Sequence, residues 1–526
     1  ILVHFLEGTA QVKLPRLISS GMILQRDQQV AIWGWAAPNE SINVTIDKQS
    51  YQTISSAAGT WSIKLKPHVA GGPYDMTIKA SNEIKLSNIL FGDVWVCSGQ
   101  SNMELWMGRV KYTYAQEIAN ASNDQIRQFL VPDKYDFKNP QNDVDAGAWL
   151  SVNQKNILDF SAAAYFFAKE LNLKYHIPIG IINAALGGSP AQAWISEEGL
   201  QKFPAYLNEA KQFKDDQLIK RIESNDQRIS NTWYNYTNVF DEGILHKWAT
   251  PQIDDHAWNQ MQIPGYWTDN GLGNVNGVVW FRKEIMIPAS MVGVDAKIEL
   301  GRIVDADSVF INGQFVGSTS YQYPPRRYEL DKNILKEGKN YIVIRVVSNA
   351  GSGGFVLDKK YELTTLKDTI NLSGPWKYKL GVSATALPGQ TFVRWKPVGL
   401  YNGMIAPLTP FAIKGFLWYQ GESNTSNPNN YDALMQSLIY DWRAKWNSNN
   451  LPFLYVQLPN FMEPKLQPEE SAWATLRQQQ LNTLIVPNTS MAVGIDLGKW
   501  NDIHPENKLD IGHRLALLAR KNVYGD

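Results

Sequence analysis

The chain is poor in three features that would each point to a class of protein. Its single cysteine, Cys97, excludes an intrachain disulfide and any metal site built from several cysteines. Its 50 lysines and arginines balance 50 aspartates and glutamates, so nothing in the net charge favours an anionic membrane, and we expect no nucleic-acid partner. No apolar run reaches the roughly 18 residues of a transmembrane helix, so no membrane span is expected.

The composition is that of a folded protein with several domains. Apolar residues make up 44% and charged residues 19% of the chain, which excludes wholesale disorder. The length of 526 residues corresponds to about three or four domains. Aromatic residues account for 12%, a content that suits β-sandwiches and sugar-facing surfaces.

Residues 1–10 are apolar but lack the basic segment of a signal peptide. The missing disulfides do not fix the compartment, since they are compatible with the cytosol and with the periplasm. We expect a periplasmic or secreted protein whose signal peptide is not present in this chain. The sequence predicts no oligomeric state.

Short alternating runs fill the first ninety residues. QQVAIWGWA (28 to 36), SINVTI and WSIKLK are separated by turns at intervals typical of small antiparallel sandwiches. We therefore predict an N-terminal β-sandwich over 1–92, with no chemistry of its own.

From Asp93 onwards, buried strands alternate with helices. Strands are predicted at DVWVCSG, 177–188, 412–421, 452–458 and 489–496, and helices at 161–175, 431–446, 471–484 and 508–521. This alternation is typical of a parallel sheet. A second β block interrupts it. We predict a multidomain protein with a doubly wound α/β domain in two parts, 93–247 and 366–526, and a β insertion over 248–365.

Polar residues follow four of the predicted strands, at the sheet edge where doubly wound domains bind ligands. They are Ser98–Met103, the run Gly187-Gly188-Ser189, the run Trp418–Asn424, and Asp496 together with Asn501-Asp502-Ile503-His504-Pro505.

Two of these residues suggest nucleophilic catalysis. Ser101 lies at a strand-to-helix turn, which exposes a hydroxyl beside backbone N–H groups that favour an oxyanion. His504, one of only seven histidines, lies beside a carboxylate and is a candidate base for Ser101. Taken alone, Ser101 could be a helix N-cap and His504 a structural histidine. Their coincidence at one sheet edge, in the chain order serine, aspartate, histidine, favours a hydrolase.

The same motifs carry a family resemblance. GQSNM (99 to 103), INAALGGSPAQAW (182 to 194), WYQGESN (418 to 424) and DIHPENK (502 to 508) resemble the sialate O-acetylesterase family, a branch of the SGNH hydrolases. The leading run LPRLISSGMILQRDQQVAIWGWA (14 to 36) resembles the N-terminal β domain of that family. The resemblance covers almost the whole chain and implies an SGNH-type fold for the α/β domain.

The resemblance also implies roles for individual residues. Ser101 matches the nucleophile and His504 the base. The oxyanion hole would be formed by the Ser101 N–H, Gly188 and the side chain of Gln420 or Asn424. The remaining polar residues of these motifs are predicted to bind substrate; they are Gln100, Asn102 and Glu422.

The acid of the triad departs from the SGNH pattern. That pattern has an acid three residues before the histidine, where this chain has Asn501, whereas Asp502 is two residues before it. We predict Asp502 as the acid and keep a Ser–His pair as the alternative. Asp496 and a backbone carbonyl are competing groups for orienting the imidazole.

The insertion has its own resemblance. TPQIDDHAWNQMQIPGYW, NGVVWFRKEI and DSVFINGQFVG resemble the galactose-binding-like jelly roll of family 2 glycoside hydrolases. Trp258, Trp267 and Trp280 could offer sugar-stacking faces or form the core of the sandwich.

The expected function is a serine esterase that removes O-acetyl groups from carbohydrates, with sialic acid as the expected sugar. Its expected partner is an O-acetylated carbohydrate, and neither a metal nor an organic cofactor is needed. An acetyl xylan or other plant-polysaccharide deacetylase is the alternative within the same chemistry. A glycoside hydrolase would need two opposed carboxylates on a barrel, for which the insertion has no room. A non-catalytic carbohydrate-binding protein is the third alternative.

Overall fold

The computed structural model describes residues 11–526, which form two compact units. The first unit takes the described chain up to Leu218, with Phe392–Trp500 and His504–Asp526. The second unit takes Ile219–Thr391 and Asn501–Ile503. Residues 1–10, on which the signal-peptide expectation depends, lie outside the described residues, and the expected location stays a prediction. The multidomain, sheet-rich architecture expected from the sequence is confirmed.

A mostly parallel sheet organises the first unit. Its strands run in the order Thr489–Ala492, Phe453–Val456, Gly415–Tyr419, Glu83–Gly99, Ile179–Ala185, Ser122–Leu130 and Trp149–Asn153. All neighbours in this order pair in parallel except the last two, which are antiparallel. The strands of residues 415–492 lie on one side of Glu83–Gly99, and the strands of residues 122–185 lie on the other. The end of Glu83–Gly99 is therefore the switch point of the sheet.

Helices cover both faces of this sheet, and its central strands are therefore buried on both sides. On one face, Trp95 packs edge-on against Phe167, at a centroid distance of 5.1 Å, in a core shared with the last helix. On the other face, Trp442 packs against Phe416 and Trp418 at 5.4 and 5.7 Å. The helices of this unit are Ser101–Glu104, Ala115–Ala119, Ala162–Tyr175, Pro204–Gln212, Tyr431–Lys445, Ala472–Asn482 and Lys508–Ala519.

The N-terminal β region shares a strand with this sheet. The early part of Glu83–Gly99 pairs with Ile23–Gln25 and Gly71–Lys79, and its later part pairs with Ile179–Ala185. The expected boundary between residues 92 and 93 therefore falls inside one continuous strand. The other strands of this region are Val30–Trp35, Ser41–Ile46, Gln49–Ile54 and Thr60–Leu65.

The second unit is built of antiparallel sheets. A six-stranded sheet of the described residues runs in the order Asn259–Ile263, Gly374–Ala384, Asn276–Ile287, Gly338–Ser348, Ala306–Ile311 and Gln314–Thr319. A second sheet runs in the order Arg327–Leu330, Ala296–Leu300, Tyr361–Thr364 and Thr369–Asn371. Short strands Gly265–Tyr266, Gly354–Phe355 and Ile303–Val304 form a third.

This unit is longer than the β insertion expected over 248–365. The helix Asp216–Val239 enters it, and Trp233 Nε1 donates to the Thr385 carbonyl at 2.7 Å. The short helix Glu242–Leu245 follows, and its N-cap Asp241 accepts from Arg345 at 2.7 Å. At the other end, Gly374–Ala384 pairs along Asn276–Ile287. Backbone pairing and buried polar contacts thus join residues on both sides of 248–365 to the second unit.

The three tryptophans considered for sugar stacking lie in the interior. Trp258, Trp267 and Trp280 are 7%, 0% and 2% exposed, and Trp280 Nε1 donates to Asp241 at 2.8 Å. They form the core of the second unit and leave no ring face for a sugar.

No helix of the described residues is long and apolar enough to span a membrane.

Candidate active site

The candidate nucleophile follows the central strand of the sheet. Strand Glu83–Gly99 ends at a glycine with φ +133°, where an added Cβ would come within 2.2 Å of the Tyr419 carbonyl oxygen. Only glycine allows this close approach of the two strand ends. Ser101 then begins the short helix Ser101–Glu104 with its side chain half-buried.

The imidazole of His504 reaches the Ser101 hydroxyl. His504 Nε2 lies 2.7 Å from Ser101 Oγ, although the two residues are 403 positions apart. This is the geometry in which a histidine can accept the proton of an attacking serine.

Gly187 and Gly188 lie against the serine turn. A Cβ on Gly187 would be 3.6 Å from the Ser101 Cβ, and the Gly187 N–H is hydrogen-bonded to the Glu104 carboxylate. Gly188 has φ +74°, and a Cβ there would come within 2.1 Å of the Trp395 ring. Gly188 therefore requires glycine, because its positive φ and the Trp395 ring leave no room for a side chain. Burial, with Asp133 nearby, raises the pKa of Glu104.

The two predicted amide donors are placed differently. Gln420 is completely buried, and its Nε2 donates to Asn424 Oδ1 at 2.7 Å and to the Ser189 carbonyl at 3.2 Å. These bonds use both protons of the amide. Asn424 Nδ2 donates to Gln192 Oε1 at 3.0 Å, its one bond within residues 11–526. The second amide proton of Asn424 is not used in this bond.

The three residues predicted to bind substrate lie in the interior behind the serine. Gln100, Asn102 and Glu422 are 2%, 0% and 7% exposed. Gln100 Oε1 accepts from the Gly421 and Ser423 N–H groups, both at 3.2 Å. Their burial leaves little side-chain surface for a sugar, so this arrangement favours a role in positioning over the predicted contact with substrate.

Asn102 connects two charged groups. Its Nδ2 donates to Glu422 Oε1 at 2.5 Å, and its Oδ1 accepts from Lys508 Nζ at 2.6 Å. Burial raises the pKa of Glu422 to about 6, against the lowering effects of its own backbone N–H, Asn102 and Lys508. Lys508 was not predicted as a site residue, although it closes the DIHPENK run that supplies the histidine.

The predicted acid contacts cations of the second unit. Asp502 Oδ2 lies 3.1 Å from Lys359 Nζ, and Asp502 Oδ1 lies 3.4 Å from Arg302 Nη1. The competing Asp496 is bound by Arg514 at 2.6 and 2.7 Å, which lowers its pKa to about 2. Asp502 as the triad acid stays a prediction.

No group of three or more histidine, cysteine, aspartate or glutamate side chains within the described part of the chain could hold a metal ion. Burial raises the pKa of the Cys97 thiol far above its usual range, so this cysteine is inert.

The comparisons with known proteins identify the class. The family model for carbohydrate esterases of the sialic acid-specific acetylesterase type matches residues 91–224 and 369–520. These ranges contain all four motifs and more than half of the chain. The chain belongs to this family, as the resemblance of its motifs implied, and it is an esterase.

Individual relatives agree with the family. The human sialate O-acetylesterase is 28% identical over 547 residues, which cover 97% of this chain and 70% of that protein. The crystal structure of a carbohydrate acetylesterase from Xanthomonas citri matches this chain with 27% sequence identity and a TM-score of 0.60. The match covers 98% of this chain and 76% of the acetylesterase chain. A putative β-glucuronidase from Formosa agariphila is 27% identical over 139 residues, or 24% of this chain and 13% of that protein. The two acetylesterase relatives support carbohydrate deacetylation as the general activity.

Proposed function

We propose that this chain removes O-acetyl groups from sialic acid through an acyl-enzyme on Ser101. The observation that carries the proposal is the 2.7 Å contact between His504 Nε2 and Ser101 Oγ at the switch point of the sheet. Ser101 Oγ attacks the acetyl carbonyl carbon while His504 accepts the hydroxyl proton. His504 then protonates the leaving sugar oxygen.

The second half of the reaction uses the same groups. Water attacks the acetyl-serine, His504 accepts the proton of that water, and acetate leaves as Ser101 recovers its proton. In both halves the negative charge forms on the former carbonyl oxygen. Backbone N–H groups of Ser101 and Gly188 and the second proton of Asn424 Nδ2 are the proposed donors to it. Gln420, whose amide protons are both used within the protein, is proposed to hold Asn424 in place.

The fold assignments belong to the same proposal. The doubly wound sheet, with Ser101 at its switch point, supports an SGNH-type fold for the first unit. The facing antiparallel sheets around one apolar core support a jelly roll for the second. We propose 1–92 as an N-terminal β-sandwich, 93–247 and 366–526 as the two parts of the catalytic domain, and 248–365 as the inserted jelly roll.

A panel of esters tests the substrate. We expect the highest kcat/KM for acetate release from O-acetylated sialic acid, with acetyl xylan below it and p-nitrophenyl acetate as the unspecific reference. The Ser101→Ala protein serves as the control for spontaneous hydrolysis. A higher kcat/KM on acetyl xylan would instead make the chain a plant-polysaccharide deacetylase. Tight sugar binding with no turnover of any ester would make it a carbohydrate-binding protein.

Asp502→Asn tests the acid. We propose Asp502 as the acid and keep a Ser–His pair as the alternative, for which the loss in kcat would be about tenfold or less. A triad acid would cost about ten-thousandfold, since its loss leaves the wrong tautomer of the histidine. The variant is compared by kcat with Asp496→Asn, which removes the other candidate carboxylate. A thermal melt shows that each variant is folded.

A further inference from the structure

The buried group of Glu422, Asn102 and Lys508 has no part in the proton transfers described above. Glu422 lies in the turn after strand Gly415–Tyr419, Asn102 directly follows Ser101, and Lys508 begins the helix that follows His504. Each residue therefore comes from a different one of the segments that meet at the carboxyl edge of the sheet. Asn102 and Lys508 are 0% exposed and Glu422 is 7% exposed, so water does not take over their hydrogen bonds.

The two ends of the Asn102 amide are held by opposite charges. Its nitrogen donates to the Glu422 carboxylate at 2.5 Å and its oxygen accepts from the Lys508 ammonium at 2.6 Å. Hydrogen bonds to ionised partners are shorter and stronger than those between neutral groups. A flipped amide would point its oxygen at the carboxylate and its NH₂ at the ammonium. One orientation of Asn102, and with it one backbone geometry at Ser101, is therefore strongly preferred.

The charge of Lys508 also depends on Glu422. Lys508 Nζ lies 5.2 Å from the centre of the Tyr419 ring, and this tyrosine is completely buried. Among the described residues, Tyr419 and Tyr431 also face Glu422, and burial raises the pKa of both, so they stay neutral. Lys508 and Glu422 thus neutralise each other across Asn102. Protonation of Glu422 would remove a negative charge that faces the buried ammonium across Asn102, which is costly.

We propose that Glu422 and Lys508, bridged by Asn102, are positioning residues for Ser101, and that the bridge holds the serine turn only while Glu422 is ionised. The inference rests on the proposed role of Ser101 as nucleophile. It assigns to Glu422 a part in the reaction without contact with the sugar. Since burial raises the pKa of Glu422 to about 6, its carboxyl is ionised at pH 8 and largely protonated by pH 5.

Glu422→Gln tests the charge while keeping the shape of the side chain. Glutamine resembles a protonated glutamate, so the variant should behave at every pH as the wild type does at low pH. We expect the ratio of wild-type to variant kcat to be about tenfold at pH 8, which corresponds to about 1.4 kcal/mol. The ratio should fall towards one below pH 5, with a midpoint near pH 6. KM should change little, because Glu422 is buried.

Two further variants keep the test decisive. In Lys508→Met, Glu422 loses its cation, so the acid limb of kcat should move to higher pH than in the wild type. Glu469→Gln, at an exposed glutamate outside the site, is the matched control and should keep the wild-type profile. A kcat ratio for Glu422→Gln that is the same from pH 5 to pH 8, or is near one at pH 8, would overturn the inference. The kcat of Ser101→Ala tests the nucleophile itself and does not depend on these pH profiles.

Discussion

Ser101→Ala should lower kcat on any acetyl ester by about a thousandfold or more, because it removes the atom to which the acetyl group would be transferred. The loss is expected in kcat on O-acetylated sialic acid and on p-nitrophenyl acetate alike. Ser101 is only half-buried at the start of a short helix, so its hydroxyl contributes little to folding. A circular dichroism spectrum and a thermal melt should therefore match those of the wild type.

Ser62→Ala is the matched control for this variant. Ser62 is an exposed serine of strand Thr60–Leu65 in the same unit, and its loss should leave kcat unchanged. If purified Ser101→Ala keeps more than about a tenth of the wild-type kcat, Ser101 is not the nucleophile.

His504→Ala should be nearly as inactive as Ser101→Ala. Without the imidazole at 2.7 Å, nothing at this position accepts the serine proton, and residual turnover comes only from the bound geometry. Loss of the two residues together should cost hardly more than loss of either, since both act in one step. The measurement is kcat for both single variants and the double variant at one pH.

His513→Ala provides the comparison for the histidine. His513 lies on helix Lys508–Ala519, nine residues after His504, and pairs with Glu170 through an exposed ring. Its removal should leave turnover intact. Additive losses in the double variant, or wild-type turnover in His504→Ala, would exclude the paired mechanism.

Five of the seven strands in the sheet order could be predicted because each contains a short apolar run; Ser122–Leu130 and Trp149–Asn153, which mix buried with exposed residues, were not predicted. The strand expected over 412–421 spans Gly415–Tyr419, and the helix expected over 431–446 spans Tyr431–Lys445. Once these elements alternate, the carboxyl edge of the sheet follows, and with it the meeting of Ser101 and His504 across 403 residues. Periodicity and chain order were sufficient for this part of the site.

Partners from distant parts of the chain could not be predicted. Asp502 contacts Lys359 and Arg302, which are 143 and 200 residues away. Nothing in the local sequence of either cation marks it as a partner of the histidine segment. In the same way, the sequence predicts Asn102 and Glu422 as polar loop residues that could face a sugar. Their burial could not be predicted, because it depends on the packing of several segments at once. The pairing of Gly374–Ala384 with Asn276–Ile287 could not be predicted either, because the sequence of a strand does not show which strand it joins.

The strand Glu83–Gly99 has a consequence for how this protein can be recombined with its relatives. It pairs with N-terminal strands at one end and carries Ser101 beyond the other, so the two regions cannot be exchanged as separate cassettes. Side chains alternate between the faces of a strand. If the two parents were joined near Gly92 with one residue too many, Trp95 and Cys97 would both turn to the opposite face of the sheet. It would also rotate the start of the serine turn. A viable chimera must therefore inherit this strand whole, from a single parent.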